Sequence, residues 1–87
     1  LECLNAGLPL VRVREQISRA ARNFEFFAEV ASTLKGETYT GLEGYLTFVT
    51  REPKGVGALI APWNAPIALA SMRVATCIAF GNTCVLK

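Results

Sequence analysis

Pro62 and Pro66 stand four residues apart inside a charge-free run of 17 residues, Val56 to Met72. A run of that length approaches the roughly 17 to 25 residues of a membrane-spanning helix. A proline in a helix interior, however, removes a hydrogen bond and clashes with the preceding turn. Two of them within five residues divide the run into separate elements, and Arg73 follows at once. The segment is therefore expected not to cross a membrane, but to hold one element before Pro62 and another from Pro66.

The first element, Val56 to Ala61, is a short apolar run bounded by Lys54-Gly55 and Pro62. It reads as a strand buried on both faces, as in a parallel sheet. Pro66 suits the first turn of a helix, Asn64 is placed to cap it, and Gly81-Asn82 supplies a C-terminal stop. Thr83 to Lys87 then resumes as an apolar strand. Strand, loop, helix and strand over about thirty residues make one βαβ unit, whose crossover is expected to be right-handed.

Upstream, Leu1 to Asn5 reads as the tail of a helix, closed by Gly7 and Pro9. Val13, Ile17, Ala20, Phe24, Phe27, Ala31 and Leu34 recur at alternating steps of four and three, with charged residues between them. This periodicity predicts a long amphipathic helix ending at Lys35-Gly36, its apolar stripe packed on its own domain. Thr38 to Gly44 reads as a loop. Tyr45 to Thr50, rich in β-branched and aromatic residues, reads as a strand ended by Glu52-Pro53.

Composition narrows the function classes. Hydrophobic residues make up 52% of 87 and charged residues 18%, which is apolar for a free-standing small domain and implies surface that is covered by other chain. The sequence reads as a fragment. A net charge of +2, with basic residues interleaved with Glu15, Glu25 and Glu29, argues against nucleic-acid binding. Three cysteines, no CxxC spacing and no histidine give neither a metal site nor a base to activate a thiol, and point to a reducing, cytoplasmic setting. Cys77 and Cys84 fall within apolar elements, where thiols act as small hydrophobes.

Ligands of open α/β sheets bind beyond the carboxyl ends of the strands, where Ala61-Pro62-Trp63-Asn64 and Lys87 both fall. Two readings of Asn64 stand side by side. Its amide caps the following helix, or it serves as an uncharged, preorganised donor for an oxyanion. Trp63 suits either a core or a stacking surface, and Lys87 either solvent or a ligand.

The run Arg51 to Gly57, then Ile60-Ala61-Pro62-Trp63-Asn64-Ala65-Pro66, then Gly81-Asn82-Thr83-Cys84-Val85-Leu86-Lys87, resembles the NAD(P)-dependent aldehyde dehydrogenase superfamily. Asn23 to Glu29 is similar to the long N-terminal helix of its hydroxymuconic-semialdehyde dehydrogenase branch. Ala65, Arg73 and Thr76 depart from the family's usual residues.

The resemblance implies an α/β fold, a fragment of a Rossmann-like doubly wound cofactor-binding domain. Its parts would be a helical N-terminal portion (1–41), a strand of an oligomerisation region (42–54) and the first βαβ unit (55–87). It implies that Asn64 is the side-chain donor of an oxyanion hole, and that Ile60, Ala61, Pro62, Trp63 and Asn64 line a site for NAD or NADP, NAD being favoured. Lys87 would hydrogen-bond the adenosine ribose, a task suited to a flexible ammonium with three donors. The nucleophilic cysteine, general base and glycine-rich turn would lie downstream of Lys87. The intact protein would oxidise an aldehyde to an acid as a homodimer or homotetramer. The rival from the residues alone is a non-catalytic structural or interaction remnant.

Overall fold

A computed structural model describes residues 1–41 and 43–87. The elements run α1 (Glu2–Ala6), α2 (Leu10–Ser32), β1 (Glu37–Tyr39), β2 (Thr47–Val49), β3 (Val56–Leu59), α3 (Pro66–Ala79) and β4 (Thr83–Leu86). They form a mixed α/β chain with two separate two-stranded sheets. The boundary placed at residue 42 by sequence falls outside the described residues.

The βαβ unit forms where the prolines and glycines require it. β3 and β4 pair in parallel, Val56 opposite Thr83 through Leu59 opposite Leu86. The ladder continues past both strands: the Lys87 N–H donates to Leu59 O and the Ala61 N–H to Lys87 O, each at 2.8 Å. Pro66 occupies the first turn of α3, where its missing N–H leaves no bond unmade. Gly81 follows the helix at φ +77°, and a Cβ there would lie 2.7 Å from Pro53 Cγ, so conformation and space both demand glycine. Gly57 is constrained by space alone, since a Cβ would meet Cys77 Sγ at 2.8 Å. The helix therefore seats directly on the strand backbone.

Asn82 ties this turn together. Its Oδ1 accepts from the Gly55 N–H at 2.9 Å, and its Nδ2 donates to Cys77 O and Phe80 O at 3.4 and 3.3 Å. One side chain thus closes the end of α3 and fixes the entry to β3.

α2 packs along α3, as the amphipathic pattern predicts, but with its stripe turned. Val13 is buried, and Gln16, Ala20, Asn23, Phe27, Val30 and Ala31 are partly covered, whereas Ile17, Phe24 and Leu34 remain 52%, 41% and 42% exposed. Asn23 explains the shift: its Nδ2 lies 3.3 Å from Ala68 O and 3.2 Å from Ser71 Oγ, joining the two helices through a polar contact. α2 ends at Ser32 rather than Lys35, where the hydroxyls of Ser32 and Thr33 donate back to the carbonyls of Glu29 and Val30 at 2.7 and 2.8 Å.

Two expectations are corrected. Thr38 and Tyr39, read from sequence as the start of a loop, belong to strand β1, which pairs antiparallel with β2, Thr38 opposite Phe48 and Tyr39 opposite Thr47. β3 is covered on one face only. Gly57 and Leu59 turn toward α3, while Val56 and Ile60 on the other face are 72% and 69% exposed, because among the described residues no second helical layer lies against them.

Only Val13, Ala68 and Ala75 are buried apolar residues among those described. The accessible surface of 6972 Å² compares with about 5,000 Å² for a compact monomer of this mass. The radius of gyration, 18.2 Å, compares with about 12 Å. The apolar surface that composition flagged is thus left open by the fold.

Candidate functional site

The site is the 61–65 loop that leaves β3 and enters α3, together with the end of β4. Its floor is the ladder itself, since the two hydrogen bonds of Lys87 fix that residue beside Ile60 and Ala61. Sequence alternation puts Lys87 on the uncovered face with Ile60 and Val85. Ile60, Trp63, Asn64 and Lys87 are all exposed, with Trp63 at 84%, while Ala61 and Pro62 are partly covered. Of the residues singled out by sequence, the backbone thus brings Ile60, Ala61 and Lys87 together, and Pro62, Trp63 and Asn64 follow directly on the loop.

The capping role for Asn64 is not what the structure adopts. The N-cap of α3 is Ala65, with φ −150° and ψ 58°, and it makes no side-chain cap. The acceptor comes from the other end of the chain: Glu2 Oε1 accepts from the Ile67 N–H at 3.1 Å. Glu2 is only 8% exposed, and its carboxylate meets the positive end of α3. A hydrogen bond to a charged group in such a place contributes about 1.5 to 3 kcal/mol. The Asn64 amide is therefore left outside the cap, available to a ligand.

Glu2 was not visible from sequence because 65 residues separate it from Ile67. The only local signal was negative: a helix that starts Ala-Pro offers no side-chain oxygen and lacks one N–H.

The same contact decides which part of a dinucleotide this loop suits. Pro66 has no N–H and the Ile67 N–H is already bonded to a carboxylate, so the start of α3 does not suit a diphosphate. Ile60 and Trp63 leave apolar surface exposed on this loop, and the Lys87 backbone lies beside Ile60 and Ala61.

Cys77 is held in the packing, its Sγ over Gly57 and 3.4 Å from Thr83 O. Among the described residues no group of three or more His, Cys, Asp or Glu side chains could hold a metal ion, and no helix is long and apolar enough to cross a membrane.

The exposed Trp63 and Asn64 lie at the carboxyl end of a parallel strand pair joined by a helix, the end at which open α/β sheets bind their ligands. The sequence makes the class specific. The pattern of the aldehyde dehydrogenase family matches residues 1–87, and the chain belongs to that family. It is 43% identical over 88 residues to 5-carboxymethyl-2-hydroxymuconate semialdehyde dehydrogenase of Escherichia coli, covering 100% of this chain and 19% of that protein. It is 38% identical over 88 residues to the NADP/NAD-dependent aldehyde dehydrogenase PuuC of Escherichia coli strain K12, covering 100% of this chain and 18% of that one. With 2-hydroxymuconic semialdehyde dehydrogenase of Pseudomonas sp. strain CF600 the identity is 35% over 91 residues, across 99% and 19% of the two chains. The chain thus spans 18% to 19% of the length of these relatives.

Proposed function

We propose that this chain is part of the cofactor domain of an NAD(P)-dependent aldehyde dehydrogenase, a Rossmann-like doubly wound unit to which β3, α3 and β4 contribute one βαβ. One observation carries the proposal: within a chain of this family, the loop at the carboxyl end of β3 leaves the Asn64 amide free of the helix it precedes. The substrate class is a small aldehyde, with a ring-cleavage semialdehyde suggested by the names of two relatives.

In this reading a thiolate supplied from outside residues 1–87 adds to the aldehyde carbon. The Asn64 NH₂ donates to the oxygen as negative charge develops there, a contact worth more in the transition state than in the ground state. Pro62 and Pro66 restrict the loop, so little reorganisation is needed when the charge appears. A dinucleotide held there, NAD being favoured, would supply the hydride acceptor, and water would then release the acid and return the thiolate. Ile60 and Trp63 offer its nucleoside an apolar surface, Ala61 and Pro62 shape the backbone of the site, and Lys87 donates to ribose hydroxyls. Cys77 stays in the packing and does not serve as the thiolate. The bare β1–β2 ribbon pairs with a neighbouring subunit in a homodimer or homotetramer, and the three free cysteines fit a cytoplasmic setting.

The test is NAD⁺ titration of the full-length protein with an aldehyde panel that includes a muconic semialdehyde. Aldehyde-dependent reduction of the dinucleotide is expected, and Lys87→Ala weakens dinucleotide binding about tenfold, the loss of one charge-assisted hydrogen bond. A full-length protein that neither binds the dinucleotide nor oxidises any aldehyde supports the structural-remnant reading instead.

A further inference from the structure

We infer that Glu2 is a positioning residue for Asn64. Its carboxylate, carried by α1, is the N-terminal cap of α3 and holds the downstream end of the loop that presents the amide. This inference rests on the oxyanion role proposed for Asn64.

The loop is pinned at two points. Upstream, the Ala61 N–H donates to Lys87 O at 2.8 Å, and downstream the Ile67 N–H donates to Glu2 Oε1 at 3.1 Å. Asn64 lies midway between these anchors. The sequence between them offers no substitute for the second, because Ala65 carries no oxygen and Pro66 has no N–H. The first helical bond of α3 runs from the Leu69 N–H to Ala65 O at 3.1 Å, so Glu2 secures a donor that the helix itself leaves open.

Glu2 is the one buried charged side chain among the described residues. A buried carboxylate is held when its charge is met by donors and dipoles, and the start of α3 provides both. α1 is in turn closed by Gly7 at φ 66°, whose N–H donates to Cys3 O at 3.0 Å. The geometry therefore ties the N-terminal helix to the first turn of α3, three residues beyond Asn64, across 65 residues of sequence. Loss of the tie frees the first turn of α3 and lets the amide wander, and a displacement of about 1 Å costs on the order of a hundredfold in rate.

The experiment is a double-mutant cycle in the full-length protein, with Glu2→Ala, Glu2→Gln, Asn64→Ala and the double variant Glu2→Ala/Asn64→Ala. Expected for Glu2→Ala is a kcat lower by about tenfold to a hundredfold, with KM for aldehyde changed less than about threefold. Glu2→Gln keeps the acceptor and recovers kcat to within about threefold of the native value. The double variant is no slower than Asn64→Ala alone, because a residue that acts through the amide has nothing to position once it is gone. Should Glu2→Ala fail to fold, Glu2→Asp, which withdraws the oxygen by one methylene, is put through the same cycle with the same expectation.

A native kcat in the Glu2 variants, or losses that multiply with Asn64→Ala, overturns the inference while leaving the role of Asn64 intact. A native kcat in Asn64→Ala overturns both.

Discussion

Two small sheets share this chain, and they are held in opposite ways. The parallel pair β3–β4 has α3 seated on one face, two glycines that admit close backbone contacts, and Asn82 bridging the helix end to the strand entry. The antiparallel pair β1–β2 has a ladder three residues long and every one of its residues exposed. Its supports are the Tyr39 hydroxyl donating to Glu37 and an exposed Arg51–Glu37 ion pair at 3.6 Å. The contrast separates a unit whose geometry is written into its own turns from one whose residues are all left exposed. The candidate site lies on the first kind, as the donor role proposed for Asn64 requires.

The contrast predicts unequal responses to substitution. The largest is for Gly57→Val, which pushes Cys77 and α3 off the strand. It is expected to destabilise the βαβ unit by about 2 to 3 kcal/mol. The readout is faster hydrogen exchange of the α3 and β4 amides in the full-length protein, and unchanged protection there would show that the close contact is dispensable. Asn82→Ala removes three hydrogen bonds at the turn and is expected to cost about 1 to 2 kcal/mol by the same readout, including the Gly55 amide.

In the ribbon, Phe48 is 66% exposed. Phe48→Ser is therefore expected to change local stability by less than about 0.5 kcal/mol, as for other exposed positions. The proposed pairing of the ribbon with a neighbouring subunit predicts instead that size-exclusion chromatography of the full-length variant shows a smaller species. A native elution volume would remove the ribbon from the subunit interface.

The smallest effect concerns Tyr39, whose pKa is raised from 10.0 chiefly by its hydrogen bond to Glu37, with a lesser contribution from desolvation and an opposing one from Arg51. A folded pKa above the unfolded one means that the stabilisation is complete below pH 10 and is lost as pH rises through the folded value. Phenolate absorbance is the measure: Glu37→Ala should bring Tyr39 ionisation to lower pH, and an unmoved titration would mean that the bond does not form in solution.

The same contrast explains what could be read in advance. Pro62, Pro66, Gly55 and Gly81 act within a few residues of themselves, so the βαβ unit and its loop were legible. β1 was not, since three residues after Gly36 become a strand only by finding Thr47 to Val49 across the turn. The α2 stripe was legible in period but not in phase. Hydropathy favours Ile17 and Phe24 for the inward face, whereas the contacts of Asn23 with Ala68 and Ser71 set the rotation. The identity of the α3 cap was hidden for the same reason. Local chemistry nominates Asn64, and only the folded chain brings Glu2 to Ile67.

The decisive measurement is kcat of Asn64→Ala in the full-length protein at saturating dinucleotide and aldehyde, with dinucleotide affinity determined alongside. Loss of an oxyanion donor predicts a fall of about 10² to 10³ in kcat, with affinity within about twofold of native. A kcat equal to that of the native protein would contradict the assignment of the 61–65 loop as the oxyanion site.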